Sequence, residues 1–410
     1  MVLRQKLNSL AQEIRWQSLH FFPRTDVEET GRKRIGMDIH ALSEKFGINA
    51  ERKTDGGFPV FEKNIVGRRV LIVCDETTRA FAQPVADMVG ANAAKCGLLT
   101  LPSPEPVADE ATVQAVAEGG EEYDYLLAVG AGTLNDLCKY AGFLTRKPSG
   151  VYATAPSMDG FTSSVTPLIE KGFKITRPAQ TASDVLMDFD VLVSAPSVMI
   201  GAGVGDILAK YCCLTDWRIS SYLTGEQVNE AAFSLMHDAV SACDGSIPSL
   251  QRGEAVGVEK LMDALLISGY AMVIAGNSRP ASGAEHHMSH FLEMDFLRRG
   301  KRIPLHGVKV GLGTMVSLYL YKTLASRPAF DGCEKVYAEA EKLPSPDYAE
   351  SVLKSLSCPT RFSELGISKD TMRNMLFEAY KIRDRFTVLT LYCTKGWMDS
   401  AADEIMEKYF

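Results

Sequence analysis

The sequence lacks an excess of basic residues and lacks paired cysteines. Lys and Arg together number 44 against 51 Asp and Glu, which gives a formal net charge of −7 at pH 7. A nucleic-acid-binding protein normally carries a basic surface, so we expect no nucleic-acid partner. None of the nine cysteines forms a CxxC pair, and an odd number of scattered cysteines indicates reduced thiols and a cytoplasmic protein.

The sequence also lacks a long hydrophobic run, an internal repeat and a secretory pattern. Its longest apolar stretch, residues 265–276, is shorter than the roughly 20 residues that a membrane span needs, and predicts a buried helix. Residues 1–16 are polar and helix-like, without the apolar region of a signal peptide. We therefore expect a soluble chain without a membrane span.

What is present is the composition of a folded protein with two regions of different character. The 410 residues are 46% hydrophobic and 23% charged, and a chain of this length usually forms more than one core. Up to about residue 200, short apolar runs at 69–74, 97–101, 125–129 and 150–154 alternate with helical stretches, which predicts a parallel sheet. Beyond residue 201, helical periodicity takes over.

We therefore predict an α/β domain at 1–200 with a parallel, Rossmann-like sheet, and an all-α domain at 201–410. The predicted helices of the second domain are 206–224, 228–242, 255–276, 282–294, 306–325, 332–342, 347–356, 369–385 and 398–408.

Four of the seven histidines lie between residues 284 and 307. His286 and His290 are four residues apart and would share one face of a helix, while His306 opens a later helical stretch. Neutral imidazole is the commonest ligand for zinc-like metals, so the pattern is typical of half of a zinc site. The alternative is a pair of helix histidines satisfied by other hydrogen bonds.

Asp206 ends a segment with three glycines, Gly201-Ala-Gly-Val-Gly-Asp206. We interpret the glycines as a turn that lets the backbone approach closely, with Asp206 at the start of a helix. Asp206 together with two histidines would give three ligands and leave a position open for substrate, as in catalytic sites. The alternative is an acidic residue that complements the helix dipole.

Two segments of the first domain are candidates for binding a nucleotide. A strand leads into Gly130-x-Gly132-Thr133, where a pyrophosphate could approach a helix N-terminus, although Asn135 replaces the third glycine of GxGxxG. A polar loop over 154–164 follows the next strand, at the sheet edge where such folds bind ligands. A tight strand–helix turn and a solvated capping loop are the alternatives.

Cationic residues near the histidines suggest an anion site. Arg279 directly precedes the histidine cluster, and a guanidinium group matches phosphate oxygens in pairs. Lys309 is a second candidate. The basic run at 298–302 is interpreted as a solvated surface loop.

Together these segments resemble the sn-glycerol-1-phosphate dehydrogenases, and the bacterial type most closely. That family belongs with the iron-containing alcohol dehydrogenases, glycerol dehydrogenases and dehydroquinate synthases. The matching segments are LAVGAGTLNDLCKY, ATAPSMDGFTSSV, GAGVGDILAKY, AGNSRPASGAEHHMSHFLEM and HGVKVGLGT. They occur in the order of the family between about residues 126 and 314.

The resemblance implies a dehydroquinate synthase-like fold with a nucleotide-binding domain, a helical domain and an active site in the cleft between them. It places one divalent metal on Asp206, His286 and His306, and substrate against Asp159 and His290. The residues implied in binding NAD or NADP are Asp75, Gly130, Gly132, Thr133, Asp136, Thr154, Ser157 and Ser163.

Two departures from the superfamily pattern bear on the metal. Lys210 stands where iron-type alcohol dehydrogenases place a fourth ligand, a histidine, so zinc or nickel is favoured over iron. Val308 replaces the glutamate of the usual His-Gly-Glu, which removes a carboxylate that could orient a ligand.

The implied reaction interconverts dihydroxyacetone phosphate and sn-glycerol 1-phosphate by hydride transfer with NAD(P)H in a homodimeric enzyme. His290 would relay a proton because histidine titrates near neutral pH, and Arg279 or Lys309 would hold the phosphate. Asp75 would meet the adenosine ribose and favour NAD over NADP. The alternatives are a dehydrogenase of another polyol or hydroxy-phosphate, a dehydroquinate-synthase-like cyclase and a non-enzymatic binder.

Overall fold

The computed structural model describes residues 38–102 and 106–410, so the helix-like start at 1–16 lies outside the described residues. In chain order, the elements of the first part are α1 Ile39–Phe46, β1 Asn49–Arg52, α2 Pro59–Asn64, β2 Arg69–Asp75, α3 Arg79–Asn92, β3 Lys95–Leu101, α4 Glu110–Gly119, β4 Tyr125–Gly130, α5 Gly132–Thr145, β5 Ser149–Ala153, β6 Val165–Glu170, β7 Phe173–Pro178 and β8 Asp184–Met187.

Six of these strands form one parallel sheet in the order β1-β8-β5-β4-β2-β3, and β6 and β7 form a separate pair. The central strands β2, β4 and β5 are buried almost throughout, as expected for a sheet covered on both faces. Parallel strands place their carboxyl ends at one edge, which is where Asp75, Gly130 and Thr154 lie. The predicted parallel sheet is confirmed.

The remainder of the chain is helical, as predicted. Its α-helices are α6 Phe189–Val193, α7 Ser197–Thr224, α8 Glu230–Asp244, α9 Ile247–Gln251, α10 Ala255–Ala275, α11 Ala284–Arg298, α12 His306–Thr323, α13 Cys333–Glu341, α14 Pro346–Ser355, α15 Lys369–Glu378, α16 Val388–Thr394 and α17 Met398–Tyr409. Short 3₁₀ turns lie at Leu324–Ser326, Phe362–Leu365 and Ala379–Lys381.

Two units can be distinguished by their internal packing. The sheet unit comprises residues 38–154, Gly160–Glu170 and Ile175–Asp188, and the helical unit comprises Ala155–Asp159, Lys171–Lys174 and Phe189–Phe410. The predicted boundary after residue 200 falls inside helix α7, which begins at Ser197. That each unit folds and acts as a separate domain stays a prediction.

Within the described residues, α7 alone is long and apolar enough to cross a membrane by length and composition. In its most apolar window, 83% of the residues are buried inside the protein, and the helix carries Asp206, Lys210 and Asp216. It therefore has the features of a core helix. The apolar run at 265–276 falls mostly in α10, where residues 265–271 are buried as expected and 272–276 are half-buried.

Candidate active site

Three helices of the helical unit bring Asp206, His286 and His306 together. Asp206 lies in α7, His286 in the first turn of α11, and His306 is the first residue of α12. One potential ligand atom from each lies within 4.8 Å of the others. Asp206 and His286 are buried and His306 is half-buried. Residues distant in sequence thus form a compact set of one oxygen and two nitrogen donors.

The glycines before Asp206 do not form the predicted turn. They lie inside α7, so Asp206 is well within a helix rather than at its start. A Cβ atom added to Gly205 would lie 2.5 Å from the carbonyl oxygen of Gly307, and one added to Gly307 would lie 1.8 Å from that of Ala202. Gly205 and Gly307 therefore allow α7 to pack closely against α12, which brings Asp206 near His306.

Glu285 orients His286. Its Oε1 lies 2.8 Å from His286 Nδ1, which leaves Nε2 directed at Asp206, 3.6 Å from Oδ1. Donors around a tetrahedral zinc at 2.0–2.1 Å are separated by about 3.4 Å. A carboxylate behind a ligating histidine fixes its tautomer and ring orientation, so the pair is suited to holding a metal.

Glu293, which lies in α11, contacts the other two histidines, His290 and His306. It is buried, with Oε2 3.1 Å from His290 Nδ1 and Oε1 3.6 Å from His306 Nδ1. Lys174 Nζ donates to Glu293 Oε2 at 2.5 Å, and Lys309 Nζ lies 3.3 Å from Oε1. Glu293 supplies a carboxylate near the histidines although Val308 replaces the glutamate of the usual His-Gly-Glu, and it was not among the residues predicted from the sequence. The sequence feature that could have revealed Glu293 is its position three residues after His290.

Lys210 is an ion-pair partner, not a ligand. Its Nζ donates to Asp206 Oδ1 at 2.9 Å, to Asp159 Oδ2 at 2.7 Å and to the carbonyl oxygen of Ala281 at 3.1 Å. Burial opposes its charge, but the two carboxylates outweigh this effect and raise the pKa of Lys210. Burial likewise opposes the charge of Asp206, yet Lys210 and His286 hold its pKa well below the usual range.

Asp159 lies against the candidate metal ligands. Its backbone N–H donates to Asp206 Oδ2 at 3.1 Å. Its carboxylate accepts hydrogen bonds from Lys210 and, at 2.7 Å, from Ser268 Oγ. These bonds fix Asp159 beside the site, while its contact with substrate stays a prediction.

His290 completes a group of three rings, but its titration differs from the expectation. Its ring centroid lies 6.4 Å from that of His286 and 6.3 Å from that of His306. Burial lowers the pKa of His290 to about 3, against the raising effect of Glu293. The pKa of His290 thus lies below the near-neutral range expected from the sequence, while its role in relaying a proton stays a prediction.

The structure gives Arg279 and Lys309 carboxylate partners, while their phosphate roles stay predictions. Arg279 is buried and donates from Nε to Glu226 Oε1 at 2.7 Å and from Nη2 to Oε2. Lys309 is also buried, pairs with Glu293 and donates to the carbonyl oxygen of Pro304. Burial lowers the pKa of Lys309 to about 8. Each cation already has a carboxylate partner, and Glu226 is too distant in sequence to have been recognised.

Two other arginines, Arg383 and Arg385, follow the 3₁₀ turn Ala379–Lys381 and were not predicted from the sequence as site residues. Both are half-buried and donate to Ser278 Oγ, at 3.2 and 3.1 Å. Arg383 Nη2 also lies 3.4 Å from His290 Nε2. No family motif covered this part of the chain, and an Arg-x-Arg pair alone carries no specific signal.

In the sheet unit, the proposed nucleotide turn has the expected local form. Gly130 ends β4 and Gly132 begins α5. The preceding residue, Ala131, has no side-chain group that can cap the helix, so its first N–H groups are available to a ligand. The N–H of Thr154 donates to the carbonyl oxygen of Gly130 at 3.1 Å, which joins the two candidate segments. Thr133 occupies the first turn of α5.

Lys139 links further candidate residues of the sheet unit. Its Nζ lies 3.1 Å from Ser163 Oγ and 3.9 Å from Asp136 Oδ1. Asp75 ends β2, and its Oδ1 accepts from the N–H of Thr78 at 2.7 Å. These contacts explain the local positions and leave the predicted cofactor roles untested.

Ser157 is the exception among the proposed cofactor residues, because it belongs to the helical unit. Its N–H donates to the carbonyl oxygen of Ala155 at 3.0 Å. Its role in binding cofactor stays a prediction.

Comparison with known proteins agrees with this architecture. The family described as "Iron-containing alcohol dehydrogenase" matches residues 56–196. Among solved structures, a probable glycerol dehydrogenase from Sinorhizobium meliloti covers 89% of this chain and 98% of its own, with a TM-score of 0.61 and 17% identity. Maleylacetate reductase from Agrobacterium tumefaciens covers 88% and 96%, with a TM-score of 0.62 and 14% identity. These two likenesses establish the fold alone.

Relatives found by sequence similarity identify the family of this chain. A glycerol-1-phosphate dehydrogenase (NAD(P)+) of Bacillus velezensis is 37% identical over 331 residues, which is 78% of this chain and 84% of the relative. The protein of the same name from Bacillus subtilis is 32% identical over 79% of this chain and 85% of its own. One from Methanothrix thermoacetophila is 30% identical over 82% and 88%. The chain therefore belongs to the glycerol-1-phosphate dehydrogenase family.

Proposed function

We propose that the protein interconverts dihydroxyacetone phosphate and sn-glycerol 1-phosphate, with NAD(P)H as the hydride donor. The observation that carries the proposal is the convergence of Asp206, His286 and His306 to within 4.8 Å in a chain whose relatives are named for this activity. The reaction reduces the C2 ketone of one compound to the C2 alcohol of the other.

The donor set suits one divalent metal ion. A carboxylate oxygen and two imidazole nitrogens are ligands that zinc and nickel accept. Lys210 places a positive charge 2.9 Å from Asp206 Oδ1, where a fourth protein ligand is absent, and this favours zinc or nickel over iron. When bound, such a metal supplies Lewis acidity at the substrate carbonyl.

The surrounding residues orient this site and handle the proton. Glu293 faces His290 Nδ1, so Nδ1 carries the ring proton and Nε2 is left as an acceptor. We propose that Nε2 accepts a hydrogen bond from the substrate hydroxyl and relays its proton during oxidation, with the reverse transfer during reduction. Asp159, held by Lys210 and Ser268, is proposed to position the substrate.

The sheet unit is proposed to bind the cofactor through its carboxyl edge. The first N–H groups of α5 would hold the pyrophosphate, with Gly130, Thr133 and Thr154 beside it. Asp75 would bind the adenosine ribose and disfavour the extra phosphate of NADP. Replacing Asp75 with Ser should therefore raise kcat/KM for NADPH relative to NADH, and an unchanged ratio would contradict this role.

The direct test follows the absorbance of NADH and NADPH with dihydroxyacetone phosphate, after chelation and after return of zinc, nickel or iron separately. We expect metal-dependent net oxidation of the cofactor and formation of sn-glycerol 1-phosphate. A cyclase would give no net cofactor oxidation. A dehydrogenase of unphosphorylated polyols would prefer dihydroxyacetone.

The family suggests a homodimer, which we also propose, together with a cytoplasmic location. Light scattering of the purified protein tests the first, and a mass of one chain, 44.8 kDa, would contradict it. Fractionation of the source cells tests the second.

A further inference from the structure

Arg383 and Arg385 form a convergent pair of guanidinium groups. Both donate to the same hydroxyl, Ser278 Oγ, at 3.2 and 3.1 Å. Arg385 Nη1 also donates to the carbonyl oxygen of Ser282 at 2.9 Å. Two neighbouring positive charges repel each other, and an anion placed near Arg385 would be attracted by both guanidinium groups.

Arg385 and Arg279 differ in whether a carboxylate pairs with the guanidinium group. Arg279 is paired with Glu226, whereas no carboxylate of the described residues forms an ion pair with Arg385. Its hydrogen bonds to Ser278 and Ser282 are to neutral oxygens. Burial, followed by repulsion from Arg383, lowers the pKa of Arg385 to about 10. A half-buried cation without a direct ion-pair partner among the described residues is a candidate for binding an anionic ligand.

Buried polar groups beside the pair also lack hydrogen-bond partners among the described residues. Ser282 Oγ is one, and both ring nitrogens of His287 are others. Both residues are more than nine-tenths buried. The charges of Arg385 and Arg383 both act on His287, so its ring lies close to the pair. These groups add unsatisfied donors where an anion would lie.

The pair adjoins the proposed metal ligands and is accessible. Arg383 Nη2 lies 3.4 Å from His290 Nε2, and the His290 ring lies 6.4 Å from that of His286. Both arginines also line a pocket of about 830 Å³. Its further charged lining residues are Glu226, Arg279, Lys381 and Asp384. A short ligand could thus place one end near the metal ligands and an anionic end at the arginines.

We propose that Arg385 and Arg383, aided by the Ser282 hydroxyl, bind the phosphate group of the substrate. This inference rests on the proposed function and names the residues that select a phosphorylated ketone over an unphosphorylated one. Arg385 is the main anchor, and Arg383 adds charge and fixes His290. Arg279 and Lys309, the residues that the sequence favoured, are then structural cations.

The test compares Arg385→Gln with the wild type on dihydroxyacetone phosphate and on dihydroxyacetone. Loss of a charged hydrogen bond should raise KM for the phosphorylated ketone at least about tenfold, with KM for dihydroxyacetone changed by less than about twofold. Arg385→Lys retains the charge and should recover part of the loss. The matched control is Arg327→Gln, because Arg327 is also half-buried and donates to a serine hydroxyl, Ser400 Oγ, at 2.8 Å.

Calorimetric binding of inorganic phosphate to the metal-loaded protein separates this proposal from the proposed function. Phosphate should bind to the wild type and to Arg327→Gln, and at least about tenfold more weakly to Arg385→Gln. Arg385-dependent phosphate binding without turnover of any ketone phosphate would overturn the function and leave the anion site standing. Turnover of dihydroxyacetone phosphate with phosphate binding unaffected by Arg385→Gln, or equal losses on both ketones, would overturn the anion site.

Discussion

At the scale of single residues, buried charges around the candidate metal ligands are balanced by partners from distant segments. Lys210 is shared between Asp159 and Asp206, and Glu293 is paired with lysines at 174 and 309. Isolated charges are costly in such surroundings, so each of these residues is held in place by the others. The geometry of the candidate ligands therefore depends on residues that would not contact the metal.

Glu293 offers a direct test of that dependence. Glu293→Gln should weaken metal binding by about 10–100-fold, the usual effect of removing a carboxylate that orients ligating histidines. The measurement is a competition titration with a chromophoric chelator. Glu341→Gln, at an exposed position at the end of α13, is the control and should bind metal like the wild type. Unchanged affinity in Glu293→Gln would mean that its contacts with the histidines are incidental.

At the scale of elements, close packing of α7 against α12 sets the distance between Asp206 and His306. The sequence showed three closely spaced glycines and an Asp, a pattern that equally describes a turn and a tight helix contact. The second arrangement is recognisable only once Gly307 is known to face Gly205. The candidate ligands could thus be predicted from the sequence, while the local structure around Asp206 could not.

Gly205→Ala tests the packing contact. Its Cβ would meet the backbone oxygen of Gly307 at 2.5 Å, so we expect a loss of about 1–3 kcal/mol in the free energy of unfolding together with weaker metal binding. The control is Gly90→Ala in α3, where an added Cβ meets no atom within 4 Å. This change should raise the free energy of unfolding by about 0.5–1 kcal/mol. Chemical denaturation measures both. If Gly205→Ala stabilised the protein as much as Gly90→Ala, the close contact between α7 and α12 would not contribute to stability.

The central strands could be predicted because two-sided burial gives them unbroken apolar runs, such as residues 70–73 of β2. Strand β1, Asn49–Arg52, could not, since it is a short polar strand at the sheet edge. Its Glu51 carboxylate accepts the N–H groups of Val60 and Phe61, each at 2.8 Å. Such a strand is defined by its partners rather than by its own hydrophobicity.

The candidate site shows the same division between local and tertiary information. Histidine spacing and family motifs identified Asp206, His286 and His306. Motifs could not reveal that Arg279 is neutralised by Glu226, or that Arg385 reaches the same segment from more than a hundred residues away. The roles of cations depend on tertiary partners, which the sequence pattern does not show.

At the scale of the whole molecule, buried neutral histidines link stability to pH. Burial, with help from Arg385 and Arg383, lowers the pKa of His287 to about 2, below the ordinary value of about 6.5. Above pH 6.5 the residue is neutral in both states. Below it, the unfolded chain binds a proton that the folded chain does not, so stability is lost as the pH falls from about 6.5 toward 2.

His287→Gln should remove this contribution. Between pH 6.5 and 5, the free energy of unfolding of the variant should fall by about 1.5 kcal/mol less than that of the wild type. Urea denaturation at each pH, with chelator present so that metal release does not contribute, gives the comparison. The exposed His237, changed to Gln, serves as the control. Parallel pH profiles for wild type and His287→Gln would contradict the prediction.

The central claim is that Asp206, His286 and His306 hold the metal on which ketone reduction depends. The most direct measurement is metal content together with NAD(P)H oxidation by dihydroxyacetone phosphate, for the wild type, His286→Ala and the exposed control His237→Ala. We predict one divalent metal per chain and turnover in the wild type and the control, and loss of both in His286→Ala. Full activity in His286→Ala or in the chelated wild-type protein would contradict the account.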